Sequence, residues 1–372
     1  MSNSLHLGRL FGIPFRLHYT WFIIFAIVTV SLSMYYFPNF YPLWSKSRYW
    51  IVGIVTSLFF FASVLAHELA HSLVCLRSGI PVKSITLFIF GGVAQITREA
   101  ARPRTELVMA VAGPLSSLAI AGLFTVVWFL ARGVSEPVAA LAWWLATINT
   151  LLALFNMIPG FPLDGGRVLR SIIWAVTGDY RRSTRIASLT GQGIAYLLIF
   201  GGVLIMFRGY LVDGLWLAFI GWFLDNAAVQ SYRQAVLRDS LQGFTAQDVM
   251  SVDYASLPGD LTIRELVEGH LLRTSRRYFL VTDDGRLSGI VTLHNIRAVP
   301  QQLWDTTSIR QAMTPTEKLK VAQPGEDAVS ILEQMVEEDI NQMPVVREGR
   351  VIGMIARDNL LHFIKMRSEL RI

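Results

Sequence analysis

The residues that could do chemistry lie in one short run, "VLAHELAHSLVC", from Val64 to Cys75. It holds His67, Glu68 and His71. On a helix, positions i and i+4 share a face with Cβ atoms roughly 5–6 Å apart. Two imidazoles so placed can chelate one Zn2+ at about 2.0–2.1 Å, and Glu68 sits beside them, able to take a proton from a water. The run ends a long apolar segment, "YWIVGIVTSLFFFASVLAHELAHSLVCL". A carboxylate near the middle of a bilayer span costs roughly 2.5–3.5 kcal/mol, so its presence there needs a chemical reason.

A zinc site for hydrolysis needs a third protein ligand and a fourth position open to water. Glu99, Glu106 and Glu136 lie in or beside loops, Asp213 and Asp225 flank the last apolar segment, and Asp164 lies in "NMIPGFPLDGGR". His6 and His18 precede the first apolar segment and could reach the same side, but no spacing ties them to the pair. Orientation separates these candidates. A helix needs roughly 20 apolar residues to cross a bilayer. Six segments qualify, at about 19–37, 49–76, 106–131, 138–158, 183–207 and 211–228. With the N-terminus inside, the cytoplasmic loops and the flanks of the spans carry 14 Lys/Arg against 4 outside, the expected bias. The second and fourth spans then both run inward, so the histidines and Asp164 reach one depth. Pro159 and Pro162 break the fourth span just before Asp164, and Gly165 and Gly166 would let the chain pass close to the site.

The elements around the pair follow from the same reading. Between spans two and three, "VKSITLFIFGGVAQITREA" alternates in places around Gly91-Gly92 and is expected to form a short β-hairpin or a re-entrant loop. His18 reads as structural or interfacial. Cys75, one turn beyond His71, reads as a small buried apolar residue rather than a fourth ligand. As the sole cysteine it excludes an intramolecular disulfide and a cysteine-rich metal site.

Composition fits a membrane chain. Of 372 residues, 53% are hydrophobic and 16% charged, and the mean hydropathy is +0.45, too apolar for an ordinary soluble enzyme. Residues 1–239 hold 18 Lys/Arg and 9 Asp/Glu, while residues 240–372 hold 15 and 18. The basic pI of about 9.5 therefore comes from loop charge in the membrane part. No basic stripe with interleaved aromatics appears, so no nucleic-acid partner is expected. No cleavable signal peptide is visible, and the first apolar segment is expected to stay as an anchor.

The last third is an internal repeat. "DVMSVDYASLPGDLTIRELVEGHL" matches "QAMTPTEKLKVAQPGEDAVSILEQM", and "RLSGIVTLHNI" matches "RVIGMIARDNL", at offsets of 63 to 64. Each unit reads strand, helix, strand, strand, helix. The expected division is a membrane domain over 1–235, a linker over 236–245, and repeat units over 246–300 and 305–368.

"HELAH", "FGGVAQI", "AVAGPLSSL" and "NMIPGFPLDGG" together resemble the site-2 protease family of intramembrane metalloproteases. The resemblance implies a zinc held by His67, His71 and Asp164, with Glu68 as general base. It implies that Asn156 steadies the oxyanion and that the hairpin at Gly91 and Gly92 clamps substrate. The repeat resembles a tandem pair of CBS (cystathionine β-synthase) domains, which implies adenine-nucleotide binding or dimerisation. The matching positions are Gly289, Thr292 and Asn295 in the first copy, and Gly353, Ala356 and Asn359 in the second. Asn stands where the family pattern has Asp in both copies, and Ala356 lacks the hydroxyl. No Walker-type loop is present, so ATP hydrolysis by that route is not expected.

The expected molecule is a polytopic α-helical membrane protein with a cytoplasmic α/β CBS pair. It would cleave the transmembrane segment of a single-span membrane protein within the cell membrane, with both termini cytoplasmic. The alternatives are a transporter or channel with regulatory CBS domains, whose intramembrane His, Glu and Asp would form an ion path, and an inactive substrate-binding relative, against which Glu68 argues.

Overall fold

The computed structural model describes residues 4–370 except 90, 97–99, 242, 275, 284 and 285. Two compact units divide the chain, Met1–Ala235 and Val236–Ile372.

The first unit opens with strands β1 (Ser4–Leu10) and β2 (Ile13–His18). The first apolar helix runs from Thr20 to Phe40, as α1 (Thr20–Ser31), a π turn over Leu32–Tyr36, and α2 (Phe37–Phe40). α3 (Lys46–Arg77) starts at Ser45, whose hydroxyl accepts from the Arg48 amide at 3.4 Å. At 1.5 Å per residue its 32 residues span about 48 Å, more than the roughly 30 Å hydrocarbon layer. Strands β3 (Val82–Phe88) and β4 (Gly91–Ile96) follow. Then come α4 (Pro103–Ala131), α5 (Glu136–Asn156), α6 (Asp164–Thr177), α7 (Tyr180–Phe207) and α8 (Leu211–Leu241). Among the described residues, six helices, Thr20–Phe40, α3, α4, α5, α7 and α8, are long and apolar enough to cross a bilayer. α6 is shorter and ends at Gly178, whose φ of 69° suits a left-handed stop. The chain is a polytopic α-helical membrane protein.

The expected hairpin at Gly91-Gly92 is present, but as half of a larger sheet. The strand order is β1-β2-β3-β4. β3 and β4 pair antiparallel, while β2 pairs parallel with β3 through Phe15↔Ile85, Arg16↔Thr86 and Leu17↔Leu87. That pairing joins segments about 70 residues apart in sequence, so no local pattern announced it. β4 is left at one edge.

The second unit contains both repeats. The first holds α9 (Ala246–Val249), β5 (Ser256–Leu257), α10 (Ile263–Glu265) continued by a π turn over Leu266–Leu271, β6 (Tyr278–Asp283), β7 (Arg286–Thr292) and α11 (Leu293–Ala298). The second holds α12 (Ile309–Ala312), β8 (Thr314–Pro315), α13 (Ala328–Glu337), β9 (Gln342–Arg347), β10 (Arg350–Ala356) and α14 (Arg357–Leu370). Where the first repeat pairs β5 parallel with β6, the second has a single parallel bridge, Ala322↔Val345. The segment 236–245, read as a linker, is helical as far as Leu241. Leu241 is fully buried in the core with Ala322, Ile331, Met335 and Met343.

Candidate metal centre

α3 carries His67 and His71 one turn apart, with ring centroids 4.9 Å apart and planes at 76°. Each ring is held at Nδ1 by α4. His71 Nδ1 lies 2.6 Å from the Met109 carbonyl, and His67 Nδ1 lies 2.9 Å from Ser117 Oγ. A carbonyl only accepts, so His71 carries its proton on Nδ1 and, when neutral, presents a lone pair at Nε2.

Asp164 arrives from the opposite side. Asn156 ends α5, and the chain turns through Pro159 and Pro162 before α6 begins at Asp164. The turn is fixed by the Phe161 amide, which donates to the Ala187 carbonyl of α7 at 3.2 Å. It is also fixed by Gly160 against Gly191, where no Cβ would fit. Gly165 and Gly166 serve this turn, packing on the backbone of Met157, Ile158 and Gly160.

The three ligand atoms form an equilateral triangle. His67 Nε2–His71 Nε2, His67 Nε2–Asp164 Oδ2 and His71 Nε2–Asp164 Oδ2 are each 3.2 Å. A tetrahedral centre with bonds of about 2.0–2.1 Å spaces its ligand atoms about 3.3–3.4 Å apart. The donor set also suits a cation. Two imidazole nitrogens and a carboxylate oxygen converge, and with neutral rings protonated at Nδ1 no hydrogen lies between them to offset their repulsion. Both histidines are buried and Asp164 nearly so. Among the described residues this is the group of His, Cys, Asp and Glu that could hold a metal ion.

Two glycines that the sequence reading gave no such role make the room. A Cβ on Gly113 of α4 would collide with Nε2 of both histidines, and a Cβ on Gly92 of β4 would collide with Cγ of Glu68. Edge strand β4 thus runs against the Glu68 side chain. Gly91, beside it, has a φ of 122°, open to glycine but strained for other residues. Met109, Gly113 and Ser117 fall on one face of α4. No residue type at these positions announces a ligand-orienting role, since a backbone carbonyl and a serine occur everywhere.

Among the described residues, the other candidate carboxylates stand apart from the triangle. Glu106 pairs with Arg170, and Glu136 accepts from Trp44 Nε1 at 2.7 Å. Asp213 is exposed in the first turn of α8 and Asp225 lies on the same helix. Glu99 lies outside the described residues. His6 is on exposed strand β1, and His18 Nδ1 bonds Thr20 Oγ1 at 2.8 Å. Cys75 is fully buried, packed with Ile80, Ala100 and Met109. Asn156 is half-buried and donates to the Leu152 carbonyl of its own helix at 3.0 Å. Among the described residues no hydrogen bond joins it to the triangle.

In the second unit, a cavity of about 810 Å3 is lined by Thr292 and Asn359 together with Arg276, Arg277, His294 and Arg357. Asn295 does not line it. Thr292 and Asn295 close a capping box at the start of α11, with the Thr292 hydroxyl 2.7 Å from Asn295 Oδ1. Asn295 Nδ2 donates to Thr314 Oγ1 at 3.2 Å.

Comparison with known proteins places these features. The family model described as Peptidase family M50 matches residues 55–137 and 132–200, and the CBS domain model matches residues 246–301 and 309–366. The Synechocystis sp. (strain PCC 6803) protein sll0528, provisionally named a zinc metalloprotease, is 35% identical over 97% of this chain and 95% of its own length. Zinc metalloprotease MJ0392 of Methanocaldococcus jannaschii is 29% identical over the whole of both chains. Among solved structures, the site-2 protease from Methanocaldococcus jannaschii is 32% identical, covering 62% of this chain and 95% of that one at a TM-score of 0.44. The chain belongs to peptidase family M50, the site-2 protease family of zinc metalloproteases, and carries a tandem pair of CBS domains.

Proposed function

We propose that this chain is an intramembrane zinc endopeptidase that cleaves the transmembrane segment of single-span membrane proteins. One observation carries the reading. Three lone-pair atoms stand 3.2 Å apart, at a separation that suits one four-coordinate cation, with Glu68 adjacent in sequence.

His67, His71 and Asp164 would hold the ion. When bound, zinc supplies a Lewis acid that polarises a scissile carbonyl and brings the pKa of a water toward 7. Glu68 takes the proton of the attacking water. As the C–N bond breaks, it delivers that proton to the leaving amine. The Gly92 backbone keeps the Glu68 carboxylate on the side of edge strand β4. A locally unwound substrate can add to that edge as a strand, so that its main-chain bonds replace those lost from its helix. Gly91 and Gly92 would then lie beside both the substrate and the base. Asn156 would donate to the developing oxyanion, after its amide leaves the Leu152 carbonyl.

The same reading places the chain in the cell membrane with both termini cytoplasmic, from the distribution of Lys and Arg. Its units are a protease domain over 1–235, a joint over 236–245, and CBS domains over 246–300 and 305–368. The CBS pair would bind an adenine nucleotide in the cavity that holds Thr292 and Asn359, with Arg277 and Arg357 facing its phosphates and Arg276, paired with Asp253 at 2.6 Å, beside them. Asn295 would act indirectly, through the capping box. Pairing of these domains would make a homodimer.

The test is zinc content and cleavage of a single-span substrate by the wild-type protein and by Glu68→Gln. The variant is expected to keep its zinc and to lose at least about a hundredfold in cleavage rate. Equal cleavage by both would sink the mechanism.

A further inference from the structure

One buried charge pair in the membrane unit takes no part in the chemistry above. Arg170 of α6 and Glu106 of α4 meet with side chains 6% and 4% exposed. Arg170 donates from Nε and Nη2 to Glu106 Oε1, and from Nη1 to the Tyr180 hydroxyl at 2.6 Å. Its guanidinium also lies 5.0 Å from the centroid of the Phe161 ring and 4.8 Å from that of Tyr180. A buried ion pair is weak evidence for stability, because apolar residues of similar volume often stabilise as well. Its presence here invites a second reason.

The partners of Arg170 supply one. Phe161 belongs to the turn that delivers Asp164 three residues later. Tyr180 opens α7, the helix on which that turn rests. Glu106 belongs to α4, and positions 106, 109, 113 and 117 are spaced by three, four and four, a single helix face. The same face carries the Met109 carbonyl, Gly113 and Ser117, which orient both imidazoles. One guanidinium is therefore bonded to the helix that aims the histidines and packed on the turn that brings the carboxylate. The rigid, planar fork of arginine suits this use better than a flexible ammonium.

We infer that Arg170 is a positioning residue, whose clamp on Glu106, Phe161 and Tyr180 holds the Asp164 carboxylate equidistant from the two histidines and so sets the metal affinity of the site. The inference rests on the zinc reading of that triangle.

The experiment measures the zinc affinity of the full-length, detergent-solubilised protein by chelator competition. The absorption spectrum of the Co2+-substituted protein reports four-coordinate geometry. The double variant Glu106→Met/Arg170→Met removes both charges together and is expected to melt near the wild-type temperature. It should bind zinc about tenfold more weakly, with reduced Co2+ bands, the scale seen when partners behind metal ligands are lost. Arg170→Lys keeps the charge without the fork and should fall between this variant and the wild type. Tyr180→Phe removes one hydrogen bond and should weaken zinc about threefold. Wild-type affinity and an unchanged Co2+ spectrum in the folded double variant would overturn the inference. If that variant does not fold, the same result in Tyr180→Phe overturns it. Absence of zinc from the wild type, or its full retention by His67→Ala, defeats the zinc reading instead, so the two failures are distinct.

Discussion

At the scale of single residues, the candidate centre depends as much on what is missing as on what is present. Gly113 has no side chain where both imidazole Nε2 atoms lie. Gly113→Ala should therefore drop zinc content to below about a tenth of the wild-type value, as read by elemental analysis, because the Cβ occupies space the rings need. Gly113 also differs from Cys75, whose thiol is buried among apolar residues. Cys75→Ala is expected to keep full zinc content, and a loss of zinc in that variant would make the thiol a ligand after all. Among the carboxylates, pairing separated what residue type alone did not. Glu106 goes to Arg170 and Glu136 to Trp44, while Asp164 stands between the histidines.

At the scale of elements, one helix and one strand do most of the positioning. α4 presents one face to the centre, and β4 lays Gly92 against the Glu68 side chain. Gly92→Ala would displace the Glu68 side chain without touching the three ligands. The expected outcome is zinc stoichiometry near that of the wild type with a cleavage rate lower by about tenfold or more. A variant that loses both together would place Gly92 in metal retention rather than in positioning the base. In the second unit, Thr292 caps α11 and lines the cavity. Thr292→Ala should lower stability by about 1 kcal/mol through the lost cap and also weaken nucleotide binding. Calorimetry of the full chain with an adenine nucleotide checks the second effect, and denaturation checks the first. The elements also mark what was legible beforehand. The six apolar helices were readable because a bilayer demands a run of fixed length and composition. The β3–β4 hairpin was readable from local alternation around Gly91-Gly92. Strands β1 and β2 were not, because β2 earns its place by pairing with β3 about 70 residues away.

At the scale of the whole molecule, two compact units carry two separate functions in the proposed reading: a membrane unit with the metal triangle and a second unit with a polar cavity. Removing metal from the full chain with a chelator should abolish cleavage, and added Zn2+ should restore it. Adding adenine nucleotide should change the cleavage rate while zinc content stays constant. A rate unaffected by nucleotide at saturating concentration would leave dimerisation as the role of the CBS pair.

The sequence by itself determined whatever depends on short-range periodicity. His67 and His71 share a face because the helix repeats every 3.6 residues, and the six apolar helices and the internal repeat were written in local pattern and self-similarity. The tertiary structure decided which distant groups meet. It placed Asp164 3.2 Å from each histidine and turned the Met109 carbonyl and Ser117 onto the rings. It set Gly113 and Gly92 against the candidate site, and it tied Asn295 to Thr314 outside the cavity. Those contacts depend on helix packing across the bundle, on the turn between α5 and α6, and on parallel strand pairing. These are non-local, and a chain encodes them only in the summed fit of all its surfaces.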